Sequence, residues 1–150
     1  MDESIDDKFK EKIATIIIQN QENGQILNTA NGTESYPALI SLNCQVDFFN
    51  IKPDTDYVFE VIAIFSVEGE SILYPLYKSN VNVPKEFLSF ETIEGYGKVS
   101  ASFNIELYVK NPSDCYIQSS LFNNPDEDVL LDEKINYFYF KQLGGTNDVD

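Results

Sequence analysis

The chain has 150 residues, 43% of them hydrophobic, so it can bury one core of ordinary size and reads as one domain. Its net charge of −15 excludes direct binding to nucleic-acid phosphate and disfavours anionic membranes. With no histidine and only two cysteines, it lacks Ser-His and Cys-His nucleophile pairs, histidine metal sites and cysteine-only zinc sites.

The first residues, MDESIDDKFKEK, are acidic and lack the apolar stretch of a secretory signal, so residues 1–12 are expected to be a flexible lead of a cytoplasmic protein. The sequence predicts one domain over 13–143. Ile13 to Gln19 is β-branched and predicts a strand. Asn23-Gly24 predicts a tight turn, because Asn-Gly tolerates positive φ, and Gln25 to Thr29 is its expected return strand. Asn31 to Pro37 reads as a loop.

Ile40, Leu42, Cys44, Val46 and Phe48 alternate with Ser41, Asn43, Gln45 and Asp47, the period of a half-buried strand. Tyr57 to Val67 is apolar on both faces and predicts a central strand. Glu68-Gly69-Glu70 turns it into Ser71 to Lys78, where Pro75 predicts an edge or an interruption. Val99 to Val109 alternates again, and Tyr116 to Phe122 is its return. Acidic residues 123–128 turn the chain into two short closing strands, Val129 to Leu131 and Ile135 to Lys141. Residues 144–150 have nothing to bury and predict a disordered tail. About eight short antiparallel strands without a long helix predict an all-β Greek-key sandwich.

Residues 40–70 align with 99–129 without a gap. Ser41, Pro53 and Tyr57 fall on Ser100, Pro112 and Tyr116, a constant offset of 59. The match reads either as two duplicated halves or as shared turn chemistry between amphipathic strands. Ile51, Pro53, Thr55 and Tyr57 stand at alternate positions before an alternating strand. That pattern resembles the corner between strands E and F of fibronectin type III domains. The resemblance implies a sandwich and a buried corner tyrosine whose hydroxyl bonds nearby backbone. Pro112 and Tyr116 mark the second such corner.

Chemistry is sparse. Among 25 acidic residues no carboxylate pair stands out for hydrolysis, so no enzyme, catalytic residue or cofactor is expected. Asp54 and Asp56 in one corner, with Asp126, Asp128, Asp132 and Glu133 near another, are weak calcium candidates; no loop has EF-hand spacing. Cys44 and Cys115 are expected to be free thiols.

Between the two similar stretches, residues 83–96 carry large apolar side chains without a period. Phe87, Leu88, Phe90 and Tyr96 form the candidate partner-binding patch, and sheet edges offer strand addition as a second mode. The leading expectation is therefore a non-enzymatic module that binds another protein or associates with itself. Its Asn, Ile and Tyr bias suits a bacterial or phage accessory protein. The alternatives are an acidic nucleic-acid mimic that inhibits a DNA- or RNA-binding protein, and a calcium-dependent binding module.

Overall fold

The stretches rich in Ile, Val, Phe and Tyr each become a strand, and period-two alternation decides which side chains they bury. The computed structural model describes residues 10–27, 30–33, 35–89, 97–123 and 129–143. These described residues form eight strands: β1 (Lys12–Asn20), β2 (Ala30–Thr33), β3 (Ala38–Ile51), β4 (Tyr57–Val67), β5 (Glu70–Val81), β6 (Gly97–Val109), β7 (Ser113–Asn123) and β8 (Leu130–Gln142). They make a three-stranded sheet, β1-β3-β6, and a five-stranded sheet, β2-β8-β7-β4-β5. The inner faces of both sheets supply one core, including Leu42, Val46, Phe48, Phe59, Ile105, Ile117 and Phe140. At its centre Phe59 meets Phe48 and Phe103 edge-on, at ring centroid distances of 5.3 and 5.6 Å. Such pairs add about 0.5–1.5 kcal/mol each beyond burial.

Several expectations are met in detail. Gly24 takes φ 71°, and its N–H donates to the Asn20 carbonyl at 2.8 Å. Glu68 and Gly69 both have positive φ, 52° and 81°, between paired residues Val67 and Glu70. That is the two-residue turn whose twist matches a hairpin. β4 is central, and β5 is an edge strand whose pairing shifts between Val61, opposite Tyr77, and Ile62, opposite Pro75. Pro75 has no N–H to give to a ladder, so it is accommodated at a bulge.

Other expectations are corrected. Gln25 to Leu27, the described part of the expected return, does not form a strand on β1; a single bridge joins Gln19 to Ile26. The strand comes later, at Ala30–Thr33, overlapping the start of the expected loop, and it runs parallel to β8, so the strands are not all antiparallel. The two short closing strands are one strand, β8, with a register shift opposite Leu121 and Phe122. Glu11, expected in a flexible lead, is buried. Residues 1–9 and 144–150 lie outside the described residues.

The 59-residue match is half structural. In the three-stranded sheet Cys44 stands opposite Phe103, its own counterpart, and Leu42–Ile105 and Val46–Ala101 pair reciprocally about it. A local two-fold thus passes through the Cys44–Phe103 pair. In the five-stranded sheet the inward pair at the centre is Val61–Ser119, only 58 apart. The lost position is taken up at the end of β3, where pairing shifts between Phe48 and Ile51 and Asn50 has φ 60°. A slip of one residue exchanges the faces of a strand. Tyr57 therefore points inward, and Cys115, not Tyr116, holds the corresponding place. Tyr57 and Tyr116 are not equivalent, which corrects the expected superposition of the two corners.

Candidate protein-interaction surface

The first corner is built as the resemblance implied. Asp54 adopts φ 54° and its N–H donates to the Val83 carbonyl at 2.9 Å, which ties the turn to the segment after β5. The Thr55 hydroxyl donates to the Pro53 carbonyl at 3.0 Å. Ile51 and Tyr57 are fully buried. The Tyr57 hydroxyl accepts the Lys52 N–H at 3.0 Å and donates to Glu11 Oε2 at 2.9 Å. The second contact had no signal in the sequence, because Glu11 sits among other charged residues. At the second corner Pro112 lies in a bend. Tyr116 faces away from the core and packs on Tyr137, ring centroids 5.7 Å apart.

The acidic candidates divide. Asp54 is exposed, while Asp56 accepts a hydrogen bond from Asn82 Nδ2 at 2.6 Å. Asp132 accepts the Ile13 N–H at 2.7 Å, which joins β8 to β1 across the two sheets. Tyr57 pairs with Asn123, so the corner and the turn after β7 start from the same end of the five-stranded sheet. Asp126 and Asp128 lie outside the described residues. Among the described residues no group of three His, Cys, Asp or Glu gathers as a metal site would need.

Both cysteines are free and buried, Cys44 in β3 and Cys115 in β7. Burial pushes each thiol up to about 12, so neither is a ready nucleophile near neutral pH.

Of the four residues chosen for partner binding, Phe90 and Tyr96 lie outside the described residues. Phe87 ends a single 3-10 turn, Lys85–Phe87, and is 67% exposed. Leu88 is half-buried: it covers Gly97, where a β-carbon would come within 2.6 Å of its side chain. Phe87 is thus offered to solvent, whereas Leu88 belongs to local packing.

A larger apolar surface, made of residues that were not sequence candidates for partner binding, lies on the outer face of the five-stranded sheet. Leu73, Ile64, Tyr116 and Tyr137 stand opposite one another in register across β5, β4, β7 and β8. The next row is Pro75, Ile62, Gln118 and Ile135. Tyr137 is 66% and Leu73 56% exposed, and Tyr139 beside them is also exposed. A depression of about 340 Å³ opens here among Ile64, Ser66, Asp114, Tyr116, Tyr137 and Tyr139. The available signal was the two-faced apolar character of β4, which requires something other than core on one side.

No protein-family model matches the chain, and no curated protein matches it in sequence. Among solved structures it is similar to a bacterial adhesin from Mobiluncus mulieris containing intramolecular disulfide, isopeptide and ester bond cross-links. Two crystal forms of that adhesin give TM-scores of 0.56 and 0.54, with 8% identity over 88% of this chain and 58% of that one. The chain therefore spans little more than half the adhesin's length. It is also similar to the PapD-like domain 7 of human CEP192, with TM-score 0.41 and 6% identity over 89% of each chain. The fold is a two-sheet β-sandwich.

Proposed function

We propose that the protein is a non-enzymatic module that binds another protein through the outer face of its five-stranded sheet. The observation that carries this reading is the apolar row Leu73–Ile64–Tyr116–Tyr137. Solvated sheet faces ordinarily carry polar side chains, and a contiguous apolar face rimmed by polar groups marks an interaction surface. Tyr is suited to such surfaces: it offers a large rigid contact area and keeps a polar tip for the rim.

The reading is tested by capture from the source cell with wild type and with Leu73→Glu plus Tyr137→Glu. Both side chains are exposed, so the fold should survive. The reading expects a partner retained by wild type and lost by the double variant. Retention by both would remove this face from the interaction.

A further inference from the structure

Beyond that face, we infer that the flank between β5 and β6 is an acceptor site for an extended, cationic segment of another protein, which adds beside β6 as a fourth strand of the smaller sheet. Three observations meet here. First, among the described residues β6 pairs with β3 alone, apart from the Ser89 N–H that donates to the Lys98 carbonyl at 2.7 Å. Among the described residues its other edge presents backbone donors and acceptors at strand spacing, a template for another extended backbone.

Second, the local two-fold through Cys44–Phe103 shows what the flank is missing. It exchanges β3 with β6 and β4 with β7. It also exchanges β5 with β8, the outer neighbours of β4 and β7. The partner of β1, which lies beside β3, would lie beside β6, and there the smaller sheet stops. On the β1 side the two sheets close on each other: Ile13 is buried, and its N–H reaches Asp132 at 2.7 Å. On the β6 side they meet at one end, where Tyr77 stacks on Phe103 with ring centroids 4.3 Å apart, and stay apart at the other. Ile72 and Tyr74, inward-facing on β5, remain 37% and 39% exposed. Ile13 lies opposite Phe48, whose counterpart under the 59-residue offset is Leu107. Beyond Leu107, where the image of Glu11 to Ile13 would tuck in, lies a cavity of about 620 Å³ lined by Phe65, Ile72, Tyr74, Tyr108, Lys110 and Pro112. A second cavity of about 260 Å³ lies on the far side of that stack, lined by Phe48, Phe59, Ser79, Val81, Ala101 and Phe103.

Third, charge selects the donor. A net charge of −15 opposes a second copy and favours the approach of a segment with Lys or Arg. The donor should resemble β1 in pattern: antiparallel to its neighbour, with aliphatic side chains at the inward positions opposite Ile105 and Leu107, past the Tyr77–Phe103 stack.

The test uses the full chain and a nine-residue peptide of alternating Ile and Lys, the length of β1, read by amide hydrogen exchange in NMR. The peptide should protect alternate β6 amides between Val99 and Val109. An Ile/Glu peptide of the same length should bind about three- to tenfold more weakly, as expected where charge guides association. Tyr74→Lys and the milder Tyr74→Ser should each weaken binding without moving the amide shifts of β1 and β8. Four results would overturn the inference: no protection at millimolar peptide, equal binding of both peptides, β6 amides already protected in the monomer, or concentration-dependent self-association that protects them. The last would name a second copy as the occupant. None of these bears on the outer face, whose own double variant leaves the flank intact.

Discussion

Tyr57 holds Glu11 in place across the end of the sandwich: its buried hydroxyl donates to Glu11 Oε2 at 2.9 Å and accepts the Lys52 N–H at 3.0 Å. One side chain thus ties the start of β1, the end of β3 and the start of β4 together. Tyr57→Phe leaves the buried Glu11 carboxylate and the Lys52 N–H each without that partner. The expected cost is about 1–3 kcal/mol, more than one neutral hydrogen bond would give. Urea unfolding measures it. A midpoint equal to wild type would mean that the hydroxyl contributes nothing.

How far the sequence carried is clear at this corner. Ile51, Pro53, Thr55 and Tyr57 announced it because turn chemistry and alternation are local. Glu11 could not be found, since a contact between residues 46 positions apart leaves no local trace. The failure at Tyr116 has the same root. A bulge at Asn50 shifts the match by one residue, and bulges cannot be read from a pattern that alignment preserves. The outer face was half legible. Ile62 and Ile64 in β4 signalled a second apolar side, but the row with Leu73 and Tyr137 exists only once the sheet order is known. Phe87 could be singled out in the sequence because it is large and lies outside any periodic stretch.

Asp47 is the clearest source of pH dependence. Hydrogen bonds from Ser100 and Thr15 hold its carboxyl below the usual carboxylate range. A depressed folded-state value means that the stabilisation is present above the unfolded value and is lost as pH falls through the folded one. The group is close to solvent, so the contribution is expected to stay below about 1 kcal/mol. Asp47→Asn should melt lower than wild type at pH 7, and the gap should narrow as pH falls through the acid range in which the lowered carboxyl takes up its proton. A gap that is constant over that range would assign the effect to packing.

Ser119 is fully buried, and its Oγ has no hydrogen-bond partner. A buried hydroxyl without a partner costs free energy that a methyl does not. Ser119→Ala should therefore leave the urea midpoint unchanged or raise stability by up to about 1 kcal/mol. A clear loss of stability would show that the hydroxyl is bonded through ordered water.

Cys44 and Cys115 should be silent towards a thiol reagent at pH 8 in the folded state, because burial holds both thiols up at about 12. Both should react at once in denaturing urea. Fast labelling of either in the folded protein would contradict the packed interior described for β3 and β7.

The reading of this chain as an interaction module, and not an acidic decoy, is tested most directly by calorimetry against its captured partner at low and high salt. Binding through the apolar outer face predicts a negative heat-capacity change. It also predicts an affinity that falls by about tenfold or less between 0.05 and 0.5 M salt, and a large loss in Leu73→Glu plus Tyr137→Glu. A fall of about a thousandfold, of the kind seen when many charges are neutralised, with the double variant binding like wild type, would contradict it.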